Sequence, residues 1–188
     1  MERLFLDIES YSPVDIGRSG VYRYSENHDF RILLFGYAVD DGAVNVIDLE
    51  SGAEIPDEII SAIRDESVIK WAHNASFERV CLSRYLRLPA HEYLPPESWR
   101  CSMVWSAYLG LPLSLKDIGK VLRLEEQKID EGRKLIRLFC SPTVPSAKNG
   151  YFQRNLPQFF PDEWNRFIEY NRRDVEVEIA IAKKLSPF

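Results

Sequence analysis

The sequence predicts an α/β domain: a mixed β-sheet, opened by three N-terminal strands that include a hairpin, and flanked by helices. Three observations carry this expectation. Three apolar, strand-like runs follow one another at the N-terminus, the second and third joined by a tight-turn signal. Helix-like and strand-like segments then alternate, and a long amphipathic helix closes the chain.

Residues 3–10 (Arg-Leu-Phe-Leu-Asp-Ile-Glu-Ser) form the first strand, with Leu4, Leu6 and Ile8 on one face and Phe5, Asp7 and Glu9 on the other. Residues 11–29 hold Pro13, Gly17 and Gly20 and are expected to be a loop. Residues 31–39 and 43–49 are two further strands, and Asp40-Asp41-Gly42 between them is a hairpin signal. Residues 56–66 start with Pro56-Asp57-Glu58 and carry Ile59, Ile60 and Ile63, as a short amphipathic helix does. Residues 68–72 suit a buried strand, which turns at His73-Asn74-Ala75-Ser76 into a helix over about 77–86. Helices are expected over 101–109, 115–123 and 131–139, the second introduced by Ser114 and Asp117 in capping-box spacing. Residues 141–161 carry four prolines and Gly150 and look like a long surface loop. The last helix, from Asp162 to Leu185, has Trp164, Ile168, Val175, Ile179 and Ala182 as its apolar stripe. No repeat, low-complexity tract or interior linker divides the chain, so residues 1–188 are taken as one domain.

Composition excludes several classes. Hydrophobic residues make up 45% and charged residues 28%, an ordinary globular balance. No apolar run approaches the 18 or so residues of a membrane span, and the N-terminus lacks a signal peptide's apolar region and cleavage site. Cys81, Cys101 and Cys140 are scattered and unpaired in sequence, against a disulfide framework or a zinc site and in keeping with the cytoplasm. The net charge of −5 weighs against a nucleic-acid partner, yet a carboxylate site carries negative charge that bound cations reverse.

Three short segments point to chemistry. Asp7 and Glu9 share one face of a strand expected to be central, where carboxylates are costly unless paired or metal-bound. Glu78 falls in the first turn of a helix that follows a buried strand; there it would also suit the helix dipole, and Asn74 would suit the cap. Tyr170 and Asp174 stand at i and i+4 on the last helix, beside the apolar stripe. Singly, each has an ordinary structural explanation. Together they place a carboxylate where each of three core elements ends, a hard-oxygen donor set suited to Mg²⁺ or Mn²⁺. Glu176 and Glu178 are assigned to a solvated face.

Asp7-Ile8-Glu9, Asn74-Ala75-Ser76-Phe77-Glu78 and Tyr170-x-x-x-Asp174 occur in the order of the three exonuclease motifs of the DEDD superfamily, in its tyrosine form. The chain resembles most the proofreading 3′→5′ exonuclease domain of phage family A DNA polymerases. Gly20-Val21-Tyr22-Arg23-Tyr24, Leu113-Ser114-Leu115-Lys116-Asp117-Ile118-Gly119 and Arg172-Arg173-Asp174-Val175-Glu176 carry that likeness. It implies a ribonuclease H-like sheet, two Mg²⁺ or Mn²⁺ ions, and hydrolysis of DNA 3′ ends to nucleoside 5′-monophosphates. Asp7, Glu9 and Asp174 would hold one ion, with Asp7 bridging to a second that has Glu78 in its shell. Tyr170 would orient the attacking water, its ordinary pKa of about 10 making it a poor base.

By the same resemblance Ser10, Tyr11 and Asn74 would touch the terminal nucleotide of a single-stranded DNA 3′ end. Arg133, Lys134, Arg137, Lys148 and Arg154 are candidates for phosphate contacts, or ordinary surface charge. Trp71, Trp99, Trp105 and Phe139 are expected in the core. A DNA polymerase domain or subunit is the expected protein partner. RNA trimming, or binding without catalysis, are the alternatives. The latter draws on one departure: the second motif ordinarily ends in Asp, and here it is Glu78. The change Glu78→Asp is expected to keep or raise Mg²⁺-dependent nuclease activity in a labelled-strand assay. Complete loss would mean that the geometry of the second ion implied by the resemblance is wrong.

Overall fold

The computed structural model describes residues 1–124 and 131–186. Its sheet has five strands in the order β3-β2-β1-β4-β5, formed by β1 (Arg3–Tyr11), β2 (Arg31–Val39), β3 (Asn45–Asp48), β4 (Ile69–Ala72) and β5 (Trp99–Cys101). Neighbours β1, β2 and β3 are antiparallel, whereas β4 lies parallel to β1, and β5 parallel to β4. This mixed arrangement is ribonuclease H-like, as the sequence predicts.

The first strand lies at the centre with apolar side chains packed against helices on each face. Leu4, Leu6 and Ile8 pack into a cluster with Ile59 and Ile63 of α2 (Asp57–Arg64) and Leu82 of α3 (Ala75–Tyr85). Phe5, on the opposite face, packs with Val175 and Ala182 of α7 (Pro161–Leu185). Helix α7 is held by a second cluster. Phe139 of α6 (Gly132–Phe139) stacks on Phe167 at 5.4 Å and meets Trp164 edge-on at 4.9 Å. Helices α4 (Ser102–Tyr108) and α5 (Leu115–Leu122) complete the chain, with Leu115 and Ile118 packed on Val177 and Ile181.

The hairpin forms at Asp40-Asp41-Gly42, where Asp40 has a φ of 50° and its carboxylate accepts from the backbone N–H groups of Glu2 and Arg3. Ser114 caps α5 by accepting from the Asp117 N–H, while its hydroxyl donates to the Asp117 carboxylate at 2.7 Å. That is one half of the expected capping box. Of the four expected core aromatics, Trp99 and Phe139 are buried, while Trp71 and Trp105 are half-buried and stack on each other at 5.4 Å.

Three expectations need correction. Residues 11–29 are not all loop: α1 (Ile16–Ser25) is helical, capped by the Asp15 carboxylate accepting from Gly17 N–H and broken at Gly20, whose φ of 73° is open to glycine. Its buried Tyr24 donates to the Ser10 carbonyl at 2.9 Å. The strand β5 went unread because three residues are too few for a periodic signal. Residues 141–161 contain two short 3₁₀ turns, Ala147–Asn149 and Pro157–Phe159, the first organised around buried Asn149, which bonds to Val144 O and Phe152 O.

Gly36 of β2 stands opposite Asp7 in the strand register, and α7 crosses directly over it. A Cβ there would collide with Asn171 Oδ1 and lie 3.0 Å from a Val175 methyl. Gly36→Ala is therefore expected to cost about 1–3 kcal/mol of stability through overpacking, read as a lower urea midpoint. An unchanged midpoint would mean that α7 moves off the sheet freely.

Candidate active site

Strand β1 delivers Asp7 and Glu9 from the face that looks at α7, just before a register shift between Glu9 and Ser10. Helix α7 returns across the sheet and presents Tyr170, Asp174 and Glu178 at i, i+4 and i+8, three successive turns of one face. All three are buried, Tyr170 and Glu178 with 1% of their surface exposed. Helix α3 begins within three residues of the end of β4 and supplies Glu78 from its first turn. The site thus lies beyond the carboxyl ends of the parallel strands, a common ligand position in open α/β sheets.

Asp7, Glu9 and Asp174 each offer a carboxylate oxygen, and the three oxygens lie within 4.8 Å of one another. An ion with ligand distances of about 2.0–2.6 Å can span such a set. Glu78 stands apart from that trio but is 3% exposed, and its Oε2 has no hydrogen-bond partner. Burial pushes its carboxyl well above the ordinary range, and the charges of Asp7 and Glu178 push it further. Hard oxygens massed in a buried setting, with a buried oxygen left open, fit a divalent cation.

The surrounding side chains fix these carboxylates. The Asn171 amide donates to Asp7 Oδ2 at 2.7 Å and to the Asp7 carbonyl at 3.3 Å, so α7 holds the β1 carboxylate directly. The Cys140 thiol donates to Glu9 Oε2 at 3.8 Å. Tyr170 stacks on Phe167 and lies against Gly132, where any Cβ would strike its ring. Burial raises the Tyr170 phenol far above its usual range, helped by Asp174, Glu9 and Asp7. It remains a neutral O–H at any working pH and can orient a partner but not remove a proton.

Beside Glu9 opens a cleft of about 600 Å³, walled by Pro13, Val14 and Ile16 on one side and by Phe77, Ile136 and Pro142 on the other. Its size and apolar walls suit a base and sugar. The three expected nucleotide contacts separate here. Asn74 is exposed at the start of α3, with a left-handed φ of 73° and no side-chain capping bond, so its amide is not spent on the helix. Ser10 lines the cleft, but its hydroxyl is tied to the Tyr24 hydroxyl at 3.0 Å. Tyr11 is buried among Leu33, Leu34 and the α6–α7 aromatics, with Arg154 over its ring, so it offers no face to a base.

The basic candidates also divide. Arg154 is ion-paired with Glu50 at 2.6 Å and is not an open phosphate contact. On α6, Gly132, Ile136 and Cys140 face the site, and helical spacing sets Arg133 and Arg137 at the edge of that face and Lys134 on the far side. Lys148 is exposed in the first 3₁₀ turn.

Glu178 corrects the sequence reading. It is not on a solvated face: it accepts from the Ser102 hydroxyl at 3.3 Å and faces inward with Asp174. Glu176 is half-buried and pairs with Arg173 at 2.8 Å. Asn171 was also missed. The spacing 170-174-178 carried a signal for Glu178, since three polar residues four apart share one face.

The chain is 45% identical, over all 188 residues, to a DNA polymerase of Bacillus phage SP02. It spans 28% of that polymerase's length. No protein-family model matches. Among solved structures, one described as the apo form of the nuclease superposes with a TM-score of 0.61 at 18% identity, over 99% of this chain and 72% of that one. Brucella melitensis NrnC, at 16% identity, covers 99% of this chain and 83% of its own with a TM-score of 0.47. The sequence likeness to a phage polymerase and the nuclease fold bear out the resemblance read from the motifs.

Burial sets a pH dependence. Glu78 and Glu178 have carboxyls raised in the folded state, so between the ordinary value of about 4.3 and the raised ones the folded chain binds more protons than the unfolded one. Their stabilising contribution is full below that window and is lost as pH rises through it. In EDTA the melting temperature is therefore expected to fall between pH 5 and pH 8, and Glu78→Gln with Glu178→Gln should flatten the fall. A melting temperature that rises over this interval would contradict the assignment.

Proposed function

We propose that this chain, related throughout its length to part of a phage DNA polymerase, is a divalent-metal-dependent 3′→5′ exonuclease domain that acts on single-stranded DNA ends. The observation that carries the reading is the trio Asp7, Glu9 and Asp174, with oxygens within 4.8 Å of one another, set beside a nucleotide-sized cleft. The family's proofreading role, alongside a polymerase domain or subunit, is part of the same proposal.

In this reading Asp7, Glu9 and Asp174 would hold one Mg²⁺ or Mn²⁺, and Asp7 with Glu78 would take part in holding a second. Such ions, when bound, supply an activated water and neutralise charge developing on the leaving oxygen. The chain's own residues do the rest. The cleft walls of Phe77, Pro13 and Ile16 receive the terminal base, leaving the scissile phosphate next to Glu9. Asn74, free of capping duty, reaches the terminal sugar or phosphate. Arg133 and Arg137 lie where the strand leaves the site and contact its backbone. The neutral Tyr170 hydroxyl, held by Asp174 and by stacking on Phe167, orients the water for in-line attack on phosphorus. The P–O3′ bond breaks, a nucleoside 5′-monophosphate leaves, and the shortened strand keeps its new 3′-hydroxyl.

The test is degradation of labelled single-stranded DNA and matched RNA with Mg²⁺ or Mn²⁺. Wild-type protein is expected to release mononucleotides from the 3′ end of DNA, EDTA to stop release, and Asp7→Asn to abolish it. Tyr170→Phe should lower the rate by about 10–100-fold with metal binding unchanged. Activity that survives Asp7→Asn would belong to another protein and would remove the proposal.

A further inference from the structure

We infer that the loop between α6 and α7 is a stacking platform for the single strand upstream of the cleft, with Tyr151 and Phe152 as the rings that meet its bases. The inference rests on the exonuclease reading above and extends the substrate site beyond the terminal nucleotide.

The loop is a built structure. Buried Asn149 organises it: its Oδ1 accepts from the Ser146 N–H at 2.8 Å, and its amide donates to the Val144 and Phe152 carbonyls. Farther on, the Asn155 amide donates to the Leu138 carbonyl at 2.8 Å and fastens the returning segment to α6. The Phe159 ring lies on Gly150, where any Cβ would strike it, and stands 6.1 Å from the Phe152 ring. A loop held this firmly could turn its aromatic side chains inward, yet Tyr151 is 73% and Phe152 47% exposed. Tyr151 also keeps a left-handed backbone, with a φ of 63°, which favours glycine or asparagine over tyrosine. With its ring in solvent, packing does not account for a tyrosine there.

Position ties the rings to the site. Ser141 and Pro142, at the start of the loop, wall the cleft. Thr143 follows directly, and its N–H donates to the Gln153 carbonyl at 2.8 Å. Phe152, next to Gln153, is thus brought beside the cleft rim. A strand that leaves the cleft over Pro142 meets these rings next.

Charge favours the same ligand. From Gly132 to Pro161 the chain has five basic residues and no acidic one, although its net charge is −5. Arg154 is spent on Glu50, while Lys148 is exposed in the turn that precedes Tyr151 and remains for a phosphate. A protein partner is the competing occupant of exposed rings. The few rings here cover far less than the roughly 800 Å² that each side buries in a stable protein interface, whereas stacking needs only one ring for each base.

Fluorescence anisotropy tests this on the 188-residue chain carrying Asp7→Asn, which keeps strands intact in Mg²⁺. Labelled single-stranded DNA of about three and of about eight nucleotides is compared, the longer length matching common single-strand site sizes. The longer strand is expected to bind more tightly. Adding Tyr151→Asn or Phe152→Ser should weaken the longer strand by about 5-fold or more and narrow the gap between the two lengths, while Tyr151→Phe, which keeps a ring, preserves it. Because asparagine suits the left-handed backbone, Tyr151→Asn should leave the melting temperature unchanged or raised, so that weaker binding does not reflect unfolding. If Phe152→Ser fails to fold, Tyr151→Asn and Lys148→Gln carry the measurement. Equal affinity for the two lengths, a longer-strand affinity untouched by the ring changes, or a loss as large in Tyr151→Phe as in Tyr151→Asn would overturn the platform and leave the nuclease reading standing. No binding of either strand, with no metal-dependent cleavage by the wild type, would instead remove the reading beneath it.

Discussion

Mutual repulsion among Asp7, Glu9, Glu78, Asp174 and Glu178 is the constraint around which this domain is arranged. These side chains converge from β1, α3 and α7, and four of them are buried. In a medium of low polarity each disfavours the charge of the next, as the raised carboxyls of Glu78 and Glu178 record. A fold that keeps such a group together needs strong packing elsewhere. It also needs polar groups that hold each carboxylate in one orientation, and protons or, under the proposed reading, cations that relieve the charge. The amide of Asn171 on Asp7 and the hydroxyl of Ser102 on Glu178 do the holding.

The packing is supplied on both sides of the central strand. The apolar residues of β1 lock it between α2 and α3 on one face and α7 on the other, so its two carboxylates have little freedom. Helix α7 is pinned by the stacked aromatics Phe139, Phe167 and Tyr170, the last of which reaches into the site itself. Two glycines make the close approaches possible: Gly36 beneath Asn171 and Gly132 beside Tyr170. Sites built on rigid elements in this way hold their geometry before any ligand arrives.

The acidity of the chain as a whole is compatible with a nucleic-acid substrate under the proposed reading. Positive charge comes from the ions at the site and from the edge of α6, where Arg133 and Arg137 flank the face that carries Ile136 to the cleft. A short single-stranded end needs few phosphate contacts, and an apolar cleft takes its base by stacking and contact. Among the described residues no helix is long and apolar enough to cross a membrane. The phage polymerase to which the chain is similar is more than three times as long, so the likeness extends over one part of that larger protein.

Local pattern sufficed for the strand face that carries Asp7 and Glu9, the hairpin at Asp40-Asp41-Gly42, the strand-to-helix turn before Glu78 and the long last helix. Periodicity and turn chemistry are properties of neighbouring residues, and the motif residues lie on those same elements. Helix α1 escaped because Gly20 interrupts it and its anchor, Tyr24 on Ser10, is a contact across the fold. Tyr11 and Ser10 looked available to a nucleotide because adjacency to Glu9 says nothing of burial; the α6–α7 aromatics and Tyr24 take them up instead. The same limit hid Glu178. Its spacing from Tyr170 and Asp174 is written in the sequence, but whether that face meets water or the site depends on how α7 lies across β1 and α4. The sequence alone thus determined which residue types could gather a metal and the elements that bear them. Only the tertiary structure decided which of those carboxylates are buried together, because burial is set by partners distant in the chain.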